Sequence, residues 1–198
     1  MQSLIFASNN QHKVYEIKSV ISGQYDIISL REAGIERDIP EPHNSPEENA
    51  REKGRVINTL TGKNCFSEDT VLEVDALNGE PGVLSARYAG IDKNDQANIQ
   101  KLLYNLNGIT DRKAQFRTVI FLLIDDSEYL FEGVCKGYIT QTEQGSSGFG
   151  YDSIFMADGA NKTFAEMEIE EKNLYSHRRK ATDQLLAFLS HSGKKMSS

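Results

Sequence analysis

Only two cysteines, Cys65 and Cys135, occur in the 198 residues. That is no disulfide framework and too few thiolates for a structural zinc site, so a reducing cytoplasm is the expected compartment. Long apolar runs are missing as well. None approaches the ~18–20 residues of a membrane span, and no membrane partner is expected. Basic charge is in deficit, 22 Lys and Arg against 29 Asp and Glu, for a net charge of −7. Nucleic-acid affinity comes largely from basic groups meeting phosphates, so a stable nucleic-acid partner is not expected either. A small phosphorylated ligand, which needs only a local basic cluster, stays compatible. The segment Met1 to Phe6 has neither the basic n-region nor the long apolar h-region of a secretory signal. Internal repeats and low-complexity linkers are absent, so composition shows no domain cut, and a single domain over residues 1–198 is expected. What is present, 38% hydrophobic and 26% charged residues, is the balance of a globular core and not of a disordered chain.

Hydrophobic periodicity supplies the organisation. Leu4 to Ala7 predicts a strand, Ser8-Asn9-Asn10 a polar turn, and Val14, Ile17, Val20 and Ile21 a helix. Tyr25 to Leu30 reads as a second strand and Asp38 to Ser45 as a loop. Pro46-Glu47-Glu48 suits a helix start, with the helix running to about Leu60. Leu72 to Ala76 alternates with period two and reads as a strand, preceded by a turn at the acidic pair. Asn78-Gly79 and Pro81-Gly82 are turn dipeptides. Ile99, Leu102, Leu103 and Leu106 mark another amphipathic helix. Arg117 to Ile124 and Glu128 to Thr140 form a hairpin through Asp125-Asp126-Ser127. Gly145 to Gly148 is flexible, Phe149 to Met156 turns apolar again, and Ala181, Leu185, Phe188 and Leu189 place a last helix. Residues 191–198 read as a frayed tail. Helix-flanked strands with an antiparallel hairpin predict an α/β protein with a mixed sheet.

Four constellations can carry chemistry. Ser8-Asn9-Asn10-Gln11-His12-Lys13 stands between strand and helix, where amides, dipole and lysine suit a phosphate; the same residues are also ordinary caps. Glu68-Asp69-Thr70, with Glu41 upstream, offers hard oxygen ligands for a divalent cation and a base for an attacking water. Adjacent acids are also common in solvated turns. Gly148-Phe149-Gly150-Tyr151-Asp152 lets backbone approach a ligand while a ring stacks on a planar base, or else forms a tight bend with a core aromatic. Lys172, His177 and Arg178 precede the last helix and read either as ligand contacts or as solvated surface.

Taken in order, these segments resemble the inosine triphosphate pyrophosphatase family. The likeness runs from Phe6 to Lys13, through Glu47-Glu48-Asn49-Ala50 with Lys53, Glu68-Asp69-Thr70 and Leu72 to Gly79, then Pro81-Gly82-Val83 and Ser85 to Gly90. It closes with Gly148 to Asp152, Lys162 to Glu166, and Glu171-Lys172-Asn173 to Ser176-His177-Arg178. The resemblance implies a Mg²⁺-dependent homodimer that hydrolyses ITP, dITP and XTP to the monophosphate and pyrophosphate. Its fold would be an elongated mixed β-sheet flanked by helices, in two lobes with a central active-site cleft. Carried over by position, Ser8, Asn9, Asn10, Gln11, His12 and Lys13 would hold the triphosphate, with Lys53 adding positive charge. Glu41 and Asp69 would hold the metal, Asp69 would accept the proton, and Thr70 would touch substrate. Phe149, Gly150, Tyr151, Asp152, Lys172, His177 and Arg178 would build the base pocket. A Lys or His donor aimed at a 6-oxo group fits inosine and xanthine, and is mismatched by the 6-amino group of adenine.

The chain departs from the family pattern at Thr70-Val71, where Ser-Gly is frequent. Valine cannot take the φ > 0 conformations open to glycine, so the turn before the strand is expected to differ, with an effect on rate. That departure motivates an alternative, a nucleotide-binding protein with impaired turnover. A pyrophosphatase for other modified nucleotides is the second alternative.

Overall fold

The first apolar run forms β1 (Gln2–Phe6), and its side chains serve two cores because successive residues of a strand face opposite ways. The computed structural model describes residues 2–21, 25–37 and 39–195; Asp38 of the expected loop lies outside them. Leu4 and Phe6 pack with Val14 and Ile17 of α1 (Gln11–Val20) and with Ala181, Leu185 and Leu189 of α5 (His177–Lys195). Ile5 and Ala7 pack instead with Ala50 and Ile57 of α2 (Pro46–Thr61). The same division repeats along the neighbouring strands. Phe66 of β3 (Cys65–Val74) and Ile120 and Leu122 of β5 (Lys113–Ile124) join the first group, whereas Cys65, Val119 and Phe121 join the second.

The chain divides into two compact units. The first takes the described residues of Met1–Asp69, Thr118–Gly133 and Arg178–Ser198; the second takes Thr70–Arg117 and Val134–His177. In the first, β1 lies parallel between β2 (Tyr25–Ser29) and β3. Beyond β3 the strand order continues through β5 to β6 (Ser127–Ile139). Ser45 caps α2 by accepting from the Glu48 amide at 3.2 Å, Pro46 opens the helix, and Gly62 closes it with φ 64°. Mid-helix Gly54 is there for contact. A Cβ at that position would lie 2.3 Å from Phe121 Cδ1, so α2 can approach the sheet this closely only without one.

In the second unit β4 (Pro81–Gly82) pairs antiparallel with β3 after a turn at Asn78 (φ 55°) and Gly79 (φ 87°). β7 (Phe155–Ala157) pairs antiparallel with β6. α3 (Asp95–Asn105) is capped by Asn94 and buries Ile99 and Leu102 against Phe116, Ile139, Phe155 and Phe164. The β5–β6 turn has positive φ at both Asp125 and Asp126, the twist-matched geometry of a two-residue hairpin.

Three expectations need correction. The strand read as Leu72 to Ala76 is β3, which begins at Cys65 and ends at Val74. Both its faces are covered, so no alternation marked its first half. Glu68-Asp69-Thr70 therefore sits inside a strand and not in a turn. Val71 is buried in that strand and is not among the described residues with positive φ, so the expected disturbance of a turn does not arise. The expected frayed tail also shortens. Leu185 and Leu189 anchor α5, which stays helical through Lys195; residues 196–198 lie outside the described part.

Candidate active site

β3 separates two charged clusters because Glu68 and Asp69 are consecutive in a strand and face opposite ways. Asp69 shares the α2 face. Its Oδ1 accepts from Lys53 Nζ at 3.2 Å, and its Oδ2 accepts from Asn49 Nδ2 at 3.3 Å. Lys53 Nζ also donates to Glu41 Oε1 at 2.6 Å, so one ammonium bridges two carboxylates. Asn49 and Lys53 are four apart on α2 and thus on one face. Asn49 is fully buried and also pins the loop carrying Glu41, accepting from the His43 amide at 2.9 Å and donating to the His43 carbonyl at 3.1 Å.

Glu68 faces the other way, toward α1 and α5. Lys13 Nζ lies 2.9 Å from its Oε1, and Arg178 grips it in two places, Nε to Oε2 at 2.7 Å and Nη2 to Oε1 at 3.1 Å. Arg178 Nη1 also donates to Glu16 of α1. The residue pattern set both His177 and Arg178 ahead of the last helix, which in fact begins at His177, and the resemblance put Arg178 in the base pocket. In the structure it stands in the first turn of α5, with its guanidinium engaged by the two acids.

Burial and charge act against each other in both clusters. Burial alone would raise the Glu68 pKa, but the Arg178 and Lys13 charges reverse this and hold the carboxyl far below the usual range. Burial would lower Lys53, yet Asp69 and Glu41 outweigh it and keep the ammonium charged. For Asp69 burial wins. It pushes the pKa above the ordinary aspartate value against the pull of Lys53, and the Glu41 charge adds to the rise.

Around α1, Asn10 Oδ1 accepts from the amides of His12 (3.0 Å) and Lys13 (3.2 Å), so the cap reading of this segment holds in the structure. Ser8 Oγ accepts from the Asn10 amide at 3.2 Å, and Asn9 to His12 are exposed. Thr70, next along β3, is half-buried.

The second unit assembles the remaining candidates around Asp152. Its Oδ2 accepts from Lys172 Nζ at 2.7 Å and from the Phe149 amide at 3.1 Å. Gly148, at φ 78°, is required there, since a Cβ would meet that carboxylate oxygen at 2.3 Å. The Lys172 ammonium stands 5.5 Å from the Phe149 ring centre and 5.2 Å from that of Phe164. His177 is buried and stacks on Phe116 with ring centres 4.6 Å apart. Tyr151 is a core residue whose hydroxyl donates to the Ser85 carbonyl at 2.9 Å.

Glu41 and Asp69 offer hard oxygen donors. With both ionised and Lys53 between them, the trio keeps a net negative charge, which suits a divalent cation held by two carboxylates and substrate phosphates. Among the described residues no three His, Cys, Asp or Glu side chains converge on a metal position, so further ligands would come from substrate or water. Sequence reasoning gave no role to Asn49 or Glu16. Each is a polar residue amid the buried positions of an amphipathic helix, and that was the available signal.

Comparison with known proteins finds relatives that match nearly the full length of the chain. A protein of Flavobacterium psychrophilum named dITP/XTP pyrophosphatase is 48% identical over 185 residues, 93% of this chain and 97% of that protein. One of the same name from Staphylococcus aureus strain MW2 is 44% identical over 190 residues, 96% of this chain and 97% of its own. The solved structure of the Staphylococcus aureus Ham1 protein superposes with a TM-score of 0.87 at 41% identity, covering 96% of this chain and 100% of that one. That of a nucleoside-triphosphatase (dITP/XTP pyrophosphatase) from Mycobacterium abscessus gives 0.75 at 38%, covering 93% and 99%. The model of the Ham1 family matches residues 4–188, a span that takes in both charged clusters and the Asp152 group, and the chain belongs to that family.

Proposed function

We propose that the protein hydrolyses non-standard purine nucleoside triphosphates, dITP, ITP and XTP, to the monophosphate and pyrophosphate. The observation that carries the reading is the Lys53 ammonium between Glu41 and the buried Asp69, in a chain 48% identical to a protein named for that activity. Ser8 to Lys13 and Lys53 supply donors and positive charge to the triphosphate, and Thr70 contacts it. Asp69, its basicity raised by burial, takes the proton of the attacking water. The water oxygen bonds to phosphorus, the α–β anhydride bond breaks, and pyrophosphate departs. Mg²⁺ held by Glu41 and Asp69 would neutralise the charge that builds on the phosphate oxygens. Arg178 keeps Glu68 in place, and Glu68 in turn aims Lys13. In the second unit Phe149 and Gly150 give a ring and a backbone for the base, and Lys172 or His177 donates to its 6-oxo group. Adenine leaves that donor unpaired, a mismatch that can discriminate by as much as ~10⁴-fold. We read the working form as a cytoplasmic homodimer, as the family resemblance implies.

The impaired-turnover alternative loses its motivation, because Val71 fits the strand interior. The deciding experiment is pyrophosphate release from ITP, dITP, XTP, ATP, GTP and modified pyrimidine triphosphates, with and without Mg²⁺. Turnover of the first three, only with the metal, is the expected result. Preference for a pyrimidine, or binding without turnover, overturns the reading.

A further inference from the structure

The Gly148-Phe149-Gly150 segment hangs on two glycines in the left-handed region, Gly148 at φ 78° and Gly150 at φ 60°. A segment hinged at both ends keeps its place only if its amides are tied. The Phe149 amide is tied to Asp152 within the loop. The Gly150 amide donates outside it, to Asp95 Oδ2 at 2.7 Å, in the first turn of α3. A second strut runs beside it. Gln96 Nε2 donates to Glu143 Oε1 at 2.7 Å, and Ser153 Oγ bonds the other oxygen of Glu143 at 3.3 Å. Between these struts lies an open cavity of about 290 Å³ lined by Asp95, Gln96, Ile99 and the loop itself. On this side the side-chain bridges of Asp95 and Glu143 tie the loop, beside the backbone bond from the Ser147 amide to the Ala165 carbonyl at 3.1 Å.

We propose that Asp95 is a positioning residue for the base site. Through Gly150 it sets the position of the Phe149 ring, and so the fit of the purine, without touching substrate. The proposal rests on the function proposed above. Three properties follow. The effect falls on substrate affinity and not on the chemical step, because Asp69 and its partners are elsewhere in the chain. The acceptor oxygen matters and its charge does not, so Asp95→Asn keeps the bond that Asp95→Ala removes. Ligands that lack a base do not notice the change.

The test compares wild type, Asp95→Ala and Asp95→Asn in three measurements. Losing one hydrogen bond should raise KM for ITP in Asp95→Ala by roughly three- to tenfold while kcat holds, with Asp95→Asn close to wild type. Inhibition by inorganic tripolyphosphate should stay the same in all three. Amide hydrogen exchange over residues 148–150 should quicken in Asp95→Ala alone. This last readout needs no turnover and separates anchoring from a general loss of α3, whose amides must stay protected. A wild-type enzyme active on ITP with an unchanged Asp95→Ala KM, or with kcat and KM altered alike in both variants, overturns the proposal and leaves the function standing. A wild type inactive on every purine triphosphate overturns the function and takes this proposal with it.

Discussion

Asp69 is held between opposed influences, and its protonation depends on the balance. Burial raises its pKa while the Lys53 ammonium stabilises the charged form. Asp69→Asn preserves shape but leaves one acceptor oxygen for the Asn49 and Lys53 donors and cannot take up a proton. Turnover of ITP should fall at least ~10²-fold, the low end of general acid–base contributions, with the circular dichroism spectrum unchanged. Near-normal turnover in a folded variant would remove Asp69 from the chemistry. Glu32 shows the reverse balance. The Lys18 ammonium, then the Ser29 amide and hydroxyl, hold its carboxyl down at about 2. Its unfolded value is ~4.3, so its stabilising share is complete above that pH and is lost as pH falls toward about 2. The side chain is half exposed, so the share is small and salt weakens it. A carboxyl NMR titration should place the Glu32 midpoint near 2, and a midpoint near 4 would show that Lys18 does not hold it. Neither balance was legible in the sequence. Asp69 and Glu41 could be named as candidates, but their sharing of Lys53 depends on which way a strand residue faces.

At the scale of elements, α2 was legible from its ends. Ser45, Pro46, the two glutamates and Gly62 mark it, and the periodicity fills the rest. The first half of β3 was not legible, because burial on both faces removes the alternation that identifies a strand. That one element carried the largest consequence, since it turns an acidic pair into two opposed clusters. The ion pairing of Arg178 was not legible either. Its partners Glu68 and Glu16 lie 110 and 162 residues away, a separation no local pattern can reveal. Gly54 offers a test of how α2 presents Asn49 and Lys53. In an exposed helix interior, Gly→Ala is worth up to ~1 kcal/mol of added stability. Here the new methyl group would overlap the Phe121 ring, so Gly54→Ala should instead cost ~1–3 kcal/mol. Urea unfolding measures this directly. A stabilised variant would mean that α2 and the sheet can separate without penalty.

At the scale of the whole molecule, the two units were not visible in composition, because the chain crosses between them inside β3, β5 and β6 and in the first turn of α5, and not at a linker. Three strands thus contribute residues to both cores. Unfolding either unit requires releasing the ends of strands that the other unit buries, and this predicts one cooperative transition. The two cysteines provide the probe. Cys65 lies in the first unit and Cys135 in the second, and both are buried. Burial pushes the Cys65 thiol up to about 12, so at pH 8 it is neutral as well as covered, and the native protein should resist alkylation. Labelling then reports opening, and mass spectrometry of timed samples identifies which thiol reacts. If the units open together, both cysteines should acquire the label at one rate, and that rate should rise with urea by the same factor at each site. Early labelling of Cys135 with Cys65 still protected, or the reverse, would show that the shared strands do not couple the two cores.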